Sequence, residues 1–111
     1  MPQVETEIID GFLVITVQER SLSTLNQAVI ERELAAILKD EPARVILNLE
    51  NVNYLDSVGL SVVVKFHYSV EGYGGVFHLC CVRPHVIKVL QLVQVDQLVS
   101  MKANLQEALK S

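Results

Sequence analysis

The chain has only two cysteines, and they are neighbours, Cys80 and Cys81. Adjacent residues on an extended strand point to opposite faces, so this pair does not suggest a structural bridge, and reduced thiols suit the cytoplasm. Apolar stretches are all interrupted by charged or turn residues before the roughly 18 residues a membrane-spanning helix needs. The start, Met-Pro-Gln-Val-Glu-Thr-Glu, lacks the basic then apolar segments of a secretory signal. Basic residues are few: nine Lys and Arg against thirteen Asp and Glu, a net charge of -4. A protein that grips a phosphate backbone concentrates cations, so nucleic acid is not expected as a direct partner.

Catalytic and cofactor signatures are also missing. No G-x-x-x-x-G-K-[ST] loop occurs, and Gly72, Gly74 and Gly75 follow a helical pattern where a dinucleotide fingerprint requires a strand, which leaves them as turn residues. His67, His78 and His85 lie on different elements without metal-ligand spacing, so no metal is expected. The cysteines lack C-x-x-C spacing, and Ser57 lacks the glycine two positions earlier that marks a nucleophile elbow. The expectation is a protein that is not an enzyme and uses no cofactor.

What remains is a well-patterned globular chain. Half of its 111 residues are apolar, enough for one core and one domain over residues 1–111. Val4 to Ile9 alternates, Asp10-Gly11 signals a tight hairpin, and Phe12 to Val17 is rich in β-branched residues and nearly continuous in apolar character, as expected of a strand covered on both faces. From Thr24, the residues Leu25, Val29, Leu34, Ala35, Ile37 and Leu38 recur at helical spacing, and Pro42 ends the region. Arg44 to Leu49 reads as a buried strand, Asn51 to Asp56 as a loop, and Ser57 to Val70 as a helix of about four turns with Asp56 or Ser57 as N-cap. Val76 to Val82 is a strand, Pro84 opens a helix through Leu92, Gln97 to Met101 is a short strand, and Asn104 caps a last helix. Leu47, Leu60, Val64 and Leu90 are the expected core markers. Alternation of this kind predicts an α/β domain with a parallel or mixed sheet.

The distinctive segment is Leu55-Asp56-Ser57-Val58-Gly59-Leu60, where a loop turns into a helix. A helix N-terminus carries unpaired N–H groups and positive dipole, so a serine there can cap the helix when free and carry a tolerated phosphate when modified. The alternative is that Asp56 and Ser57 are only caps, and the spacing alone supports both readings equally.

At these residues the chain resembles the STAS family, whose bacterial members include anti-sigma factor antagonists. The resemblance rests on Val45-Ile46-Leu47-Asn48-Leu49 followed by Asp56-Ser57-Val58-Gly59-Leu60, then Gly74-Gly75 before a strand and Val82-Arg83-Pro84 opening a helix. It implies a sheet of four to five strands with helices mainly on one face. It also implies a cytoplasmic partner-binding switch. The unphosphorylated protein would sequester an anti-sigma factor of the serine kinase type, phosphorylation of Ser57 would end binding, and a serine phosphatase would reset it. The implied partner surface comprises Asn53, Tyr54, Asp56, Ser57, Val58, Gly59 and Ser61. One departure stands out: many antagonists have a Gly-x-Leu-Asp-like segment after the second strand, and this chain has Gln18-Glu19-Arg20-Ser21-Leu22-Ser23. The alternative role is a constitutive subunit of a transporter or multi-protein signalling complex, with Ser57 only a cap.

Overall fold

The computed structural model describes residues 2–111. Seven strands and five helices follow in the order β1 (Val4–Ile9), β2 (Phe12–Val17), β3 (Ser21–Leu22), α1 (Gln27–Leu38), β4 (Arg44–Asn48), β5 (Tyr54–Leu55), α2 (Ser57–Gly72), β6 (Val76–Cys80), α3 (Pro84–Leu92), α4 (Val95–Leu98), β7 (Met101–Lys102) and α5 (Leu105–Leu109). The main sheet has the order β1-β2-β4-β6-β7, antiparallel between β1 and β2 and parallel elsewhere. The α/β class, the mixed sheet and its three central strands are as the sequence predicts.

The strands form where β-branched runs can be covered on both sides. Val45, Leu47, Phe77 and Leu79 face the larger core with Ile30, Leu34, Val63, Val70 and Leu90 from the helices. Phe12, Val14, Ile46 and Cys80 point the other way, onto Ala108, Leu105 and Leu109 of α5. This is period-two alternation with apolar residues on both sides, and it explains why the sequence shows runs rather than an alternating pattern. Four helices thus pack on one face and the short α5 on the other. Asp10 and Gly11, with φ of 50° and 84°, make the left-handed pair that a two-residue hairpin needs. No helix among the described residues is long and apolar enough to cross a membrane.

Several sequence expectations are corrected. The helix α1 begins at Gln27, so Leu25 lies in the loop before it and is 92% exposed, and Val29 is also exposed. Leu47 and Leu90 are fully buried, whereas Leu60 and Val64 are only half-buried. The buried stripe of α2 is instead Gly59, Val62, Val63, Phe66, His67 and Val70. The helix is rotated this way because its first turn rests on β3 through Gly59. In the C-terminal region, Gln94 adopts φ of 62° and starts α4, which puts Val95 and Val99 into the core. The strand expected over Gln97 to Met101 is consequently reduced to Met101–Lys102. Finally, Cys81 has φ of 62° and leaves the strand after Cys80. Alternation stops there, and the two sulfurs lie 3.2 Å apart as free thiols instead of on opposite faces. Burial, together with the neighbouring Cys81, pushes the Cys80 thiol far above its ordinary pKa.

Candidate functional site

The C-terminal ends of β2, β4 and β6 carry the loops that lead into the helices. Two of these loops, after β2 and after β4, are joined by a small parallel pair that the sequence does not announce: Ser21 lies beside Tyr54 and Leu22 beside Leu55. The segment expected to be a plain loop, Asn51 to Asp56, therefore ends in a strand. Arg20 O accepts from Asn53 N at 2.7 Å and from Tyr54 N at 3.2 Å, extending the junction.

Side chains fix the rest. Asn26 is buried, accepts from Ser23 N at 3.0 Å and donates to Ser21 O at 2.7 Å, so one amide holds both sides of the turn into α1. Asn48 accepts from Glu50 N and donates to Glu50 Oε1, closing the turn after β4. Beyond it, Arg83 Nε donates to Glu50 O at 2.8 Å, and His85 contacts Asn53 O through Nε2.

Asp56 is the cap of α2. Its Oδ1 accepts from Gly59 N at 2.8 Å, and its Oδ2 accepts from Thr24 N at 3.2 Å and Thr24 Oγ1 at 3.3 Å. The Gly59 N–H foremost, and the Thr24 donors with it, hold this carboxyl below the usual carboxylate range against a smaller opposing effect of desolvation. At neutral pH the site therefore carries a fixed negative charge beside Ser57. Gly59 is the contact point: a Cβ there would stand 1.7 Å from Leu22 O and 2.5 Å from Leu22 C. Only a glycine lets the first turn of α2 approach the backbone of β3 so closely.

With the frame set, the expected site residues separate into two groups. Asn53, Tyr54 and Ser57 are exposed, Tyr54 at 57%, while Asp56, Val58 and Ser61 are half-buried. Ser61 Oγ donates to Val58 O at 2.8 Å, inside the helix. Gly59 is buried and positions the others instead of offering surface. Because Asp56 provides the cap, the hydroxyl of Ser57 is left without a hydrogen bond among the described residues. The residue that sequence reasoning missed is Leu25, exposed in the loop whose Thr24 binds Asp56. Its helical spacing to Val29 made it look like core; the signal against that reading is Asn26, a residue type that favours turns and caps. Together Leu25 and Tyr54 add apolar and aromatic area next to a free serine. Such a mixed patch suits a protein partner.

Among the described residues no group of three or more His, Cys, Asp or Glu is placed to hold a metal ion. Of the histidines, His67 and His78 are buried, and only His85 is exposed near the site.

Comparison with known proteins gives a consistent result. The model of the STAS domain matches residues 3–108. BtrV of Bordetella bronchiseptica, named as an anti-sigma factor antagonist, is 33% identical over 84 residues, 76% of this chain and 72% of that protein. A crystal structure of a Thermotoga maritima protein named as an anti-sigma factor antagonist superposes with a TM-score of 0.86 at 25% identity, covering 96% of this chain and 92% of the other. An anti-sigma factor antagonist from Mycobacterium paratuberculosis shares the fold with a TM-score of 0.87 at 22% identity, covering 96% and 90%.

Proposed function

The chain belongs to the STAS domain family, in its anti-sigma factor antagonist group, and on that premise we propose that it is a cytoplasmic partner-binding switch controlled by phosphorylation of Ser57. Unmodified, it sequesters an anti-sigma factor of the serine kinase type. Phosphorylated, it releases that partner until a serine phosphatase restores the hydroxyl.

The observation that carries this reading is the division of labour between Asp56 and Ser57. Asp56 caps α2 through Gly59 N, so Ser57 is exposed with an uncommitted hydroxyl at the first helical position. A serine that held the cap would have its capping bond disturbed by modification. This one is accessible to a kinase without loss of the helix start.

The physical effect of a phosphate follows from its surroundings. It brings roughly 1.5 to 2 negative charges, which the N-terminus of a 16-residue helix favours and the ionised Asp56 opposes. These effects offset one another, and the fold is little changed. At an interface they do not. A partner seated on Leu25, Tyr54 and Val58 would desolvate the phosphate beside Asp56, at a cost recovered only if the partner supplies cations there.

The test is mass spectrometry of the native protein for phosphate on Ser57, with capture of partners by the unmodified and phosphorylated forms. Phosphate on Ser57 and an anti-sigma factor retained only by the unmodified form are expected. A partner held equally by both forms would overturn the switch and leave a constitutive subunit.

A further inference from the structure

We propose that Cys80 and Cys81 form a reversible redox site, which peroxide closes into a disulfide and which, on closing, shifts the loop between β6 and α3. Both residues are free thiols, and Cys81 Sγ donates to Cys80 Sγ at 3.2 Å. On a regular strand two adjacent side chains leave on opposite faces and their sulfurs cannot meet. Here β6 ends at Cys80, and Cys81 turns to φ of 62°, a left-handed conformation that a residue with a Cβ adopts only at a cost. That one turn brings the second sulfur back beside the first.

The two thiols differ in access, which divides their roles. Cys80 is fully buried with Phe12, Val14, Ile46 and Ala108, while Cys81 is half-buried at the margin of the same cluster. Burial foremost, and the bond from Cys81 with it, pushes the Cys80 thiol far above its ordinary range, so it does not meet an oxidant as a thiolate. Cys81 is therefore oxidised first. Its sulfur attacks one oxygen of hydrogen peroxide, the O–O bond breaks, and a sulfenic acid forms as one water leaves. Cys80 Sγ then displaces the hydroxyl from that sulfur, and its own proton departs with the hydroxyl as a second water. The two thiols lose two electrons and two protons in all, and the peroxide is reduced to two waters. Proximity favours the second step, since the resolving sulfur already touches its target.

A bridge between adjacent residues joins Cα atoms about 3.8 Å apart, shorter than the usual span of roughly 4.4 to 6.8 Å, and is strained and readily reduced. Such a bond acts as a switch and not as a staple, as suits a transient bridge in a reducing compartment. To bond, the sulfurs must approach by about 1 Å. Cys80 cannot supply the movement: it is held in the sheet beside Asn48 and Lys102, and its carbonyl accepts from Leu49 N at 3.2 Å. The shift falls on Cys81 and on the segment through Arg83 into α3. There Arg83 Nε donates to Glu50 O at 2.8 Å and His85 contacts Asn53 O, so it is passed to the loop after β4. The site stands on the fold alone and is independent of Ser57.

The test treats the reduced full chain with equimolar hydrogen peroxide, blocks free thiols with N-ethylmaleimide and reads the intact mass. A monomer lighter by two hydrogens, with neither thiol blocked and with both recovered by dithiothreitol, is expected. Cys80→Ala should stop at a sulfenic acid on Cys81, which dimedone traps. Cys81→Ser leaves only the buried thiol and should react about tenfold or more slowly than wild type, with thermal melts confirming that each variant is folded. By NMR, the backbone amides of Cys81, Val82, Arg83, Glu50 and Asn53 should shift on oxidation and return on reduction. Thiols that remain open to N-ethylmaleimide after peroxide, oxidation to sulfinic acid without a disulfide, or a disulfide-linked dimer would overturn the site. A disulfide that forms while those amides stay in place would overturn the loop shift.

Discussion

The loops at the two ends of the parallel strands are closed by different means. Where β2, β4 and β6 begin, the chain turns on its backbone: Asp10, Gly11, Glu41 and Gly74 adopt positive φ, Glu41 N donates to Leu38 O, and Gly75 N donates to Val70 O. Side chains add little there beyond Tyr73 OH on Pro42 O at 2.7 Å and the Arg44 guanidinium over the Phe12 ring at 4.0 Å. Where the same strands end, side chains take over: Asn26, Asn48, Asn51, Asp56 and Arg83 each fix a neighbouring segment. The second arrangement holds exposed residues such as Leu25, Tyr54 and Ser57 in defined places. The first has only to reverse the chain.

Glycines give the sharpest way to break that contrast. At the site end, Gly59→Ala drives a Cβ into the backbone of Leu22, where no side-chain rotation can relieve it. A loss on the order of 3 kcal/mol is expected. At the other end, a Cβ at Gly72 meets nothing within 4 Å and needs no positive φ. Gly72→Ala should therefore stabilise by about 0.5 to 1 kcal/mol, by restricting the unfolded chain. Denaturant melts read both; effects of equal sign would remove the distinction.

A smaller difference separates the polar ties. Asn26→Ala leaves Ser21 O and Ser23 N without their partner in a buried turn, and should cost about 2 kcal/mol. Tyr73→Phe removes a single bond to Pro42 O near the surface, and should cost about 1 kcal/mol or less. Only the first should also weaken partner binding, which an affinity measurement on each variant checks.

The third difference is one of pH. Asp56 titrates below its ordinary 3.8 in the folded protein because it accepts from Gly59 N and Thr24. A depressed folded value means that its ionised form stabilises the fold fully above 3.8, and that this contribution is lost as pH falls through the lower folded value. Relative to Asp56→Asn, which can still accept from Gly59 N without titrating, wild-type stability should be level from about pH 5 to 7 and decline below the ordinary carboxylate range. A stability gap independent of pH would show that the charge of Asp56 contributes nothing.

Much of the frame was legible in the sequence because it is written in continuous patterns. Phe12 to Val17 and Val45 to Leu47 are apolar and rich in β-branched residues, Val76 to Cys80 is apolar apart from His78, and such short near-continuous runs between turns suit strands covered on both faces. The start of α2 was legible from Asp56 and Ser57, though not which of them caps. The β3 and β5 pair was not, since two-residue strands have no period and exist only because two loops meet. The rotation of α2 was also hidden. Val62 and Val64 look alike in sequence, and only the contact of Gly59 with Leu22 decides which one faces inward. Leu25 failed for a related reason: its spacing continued a helical stripe by coincidence into a loop.

Asp56 holds the start of α2 and leaves the Ser57 hydroxyl free, and on the proposed function a phosphate there acts on the interface and not on the fold. The most direct measurement is the affinity of the unmodified and Ser57-phosphorylated chains for the anti-sigma factor, with the melting temperature of each. Affinity should drop by at least about tenfold on phosphorylation, equivalent to about 1.4 kcal/mol, while the melting temperature stays nearly constant. Equal affinities, or a loss of binding matched by a loss of folding, would contradict the claim.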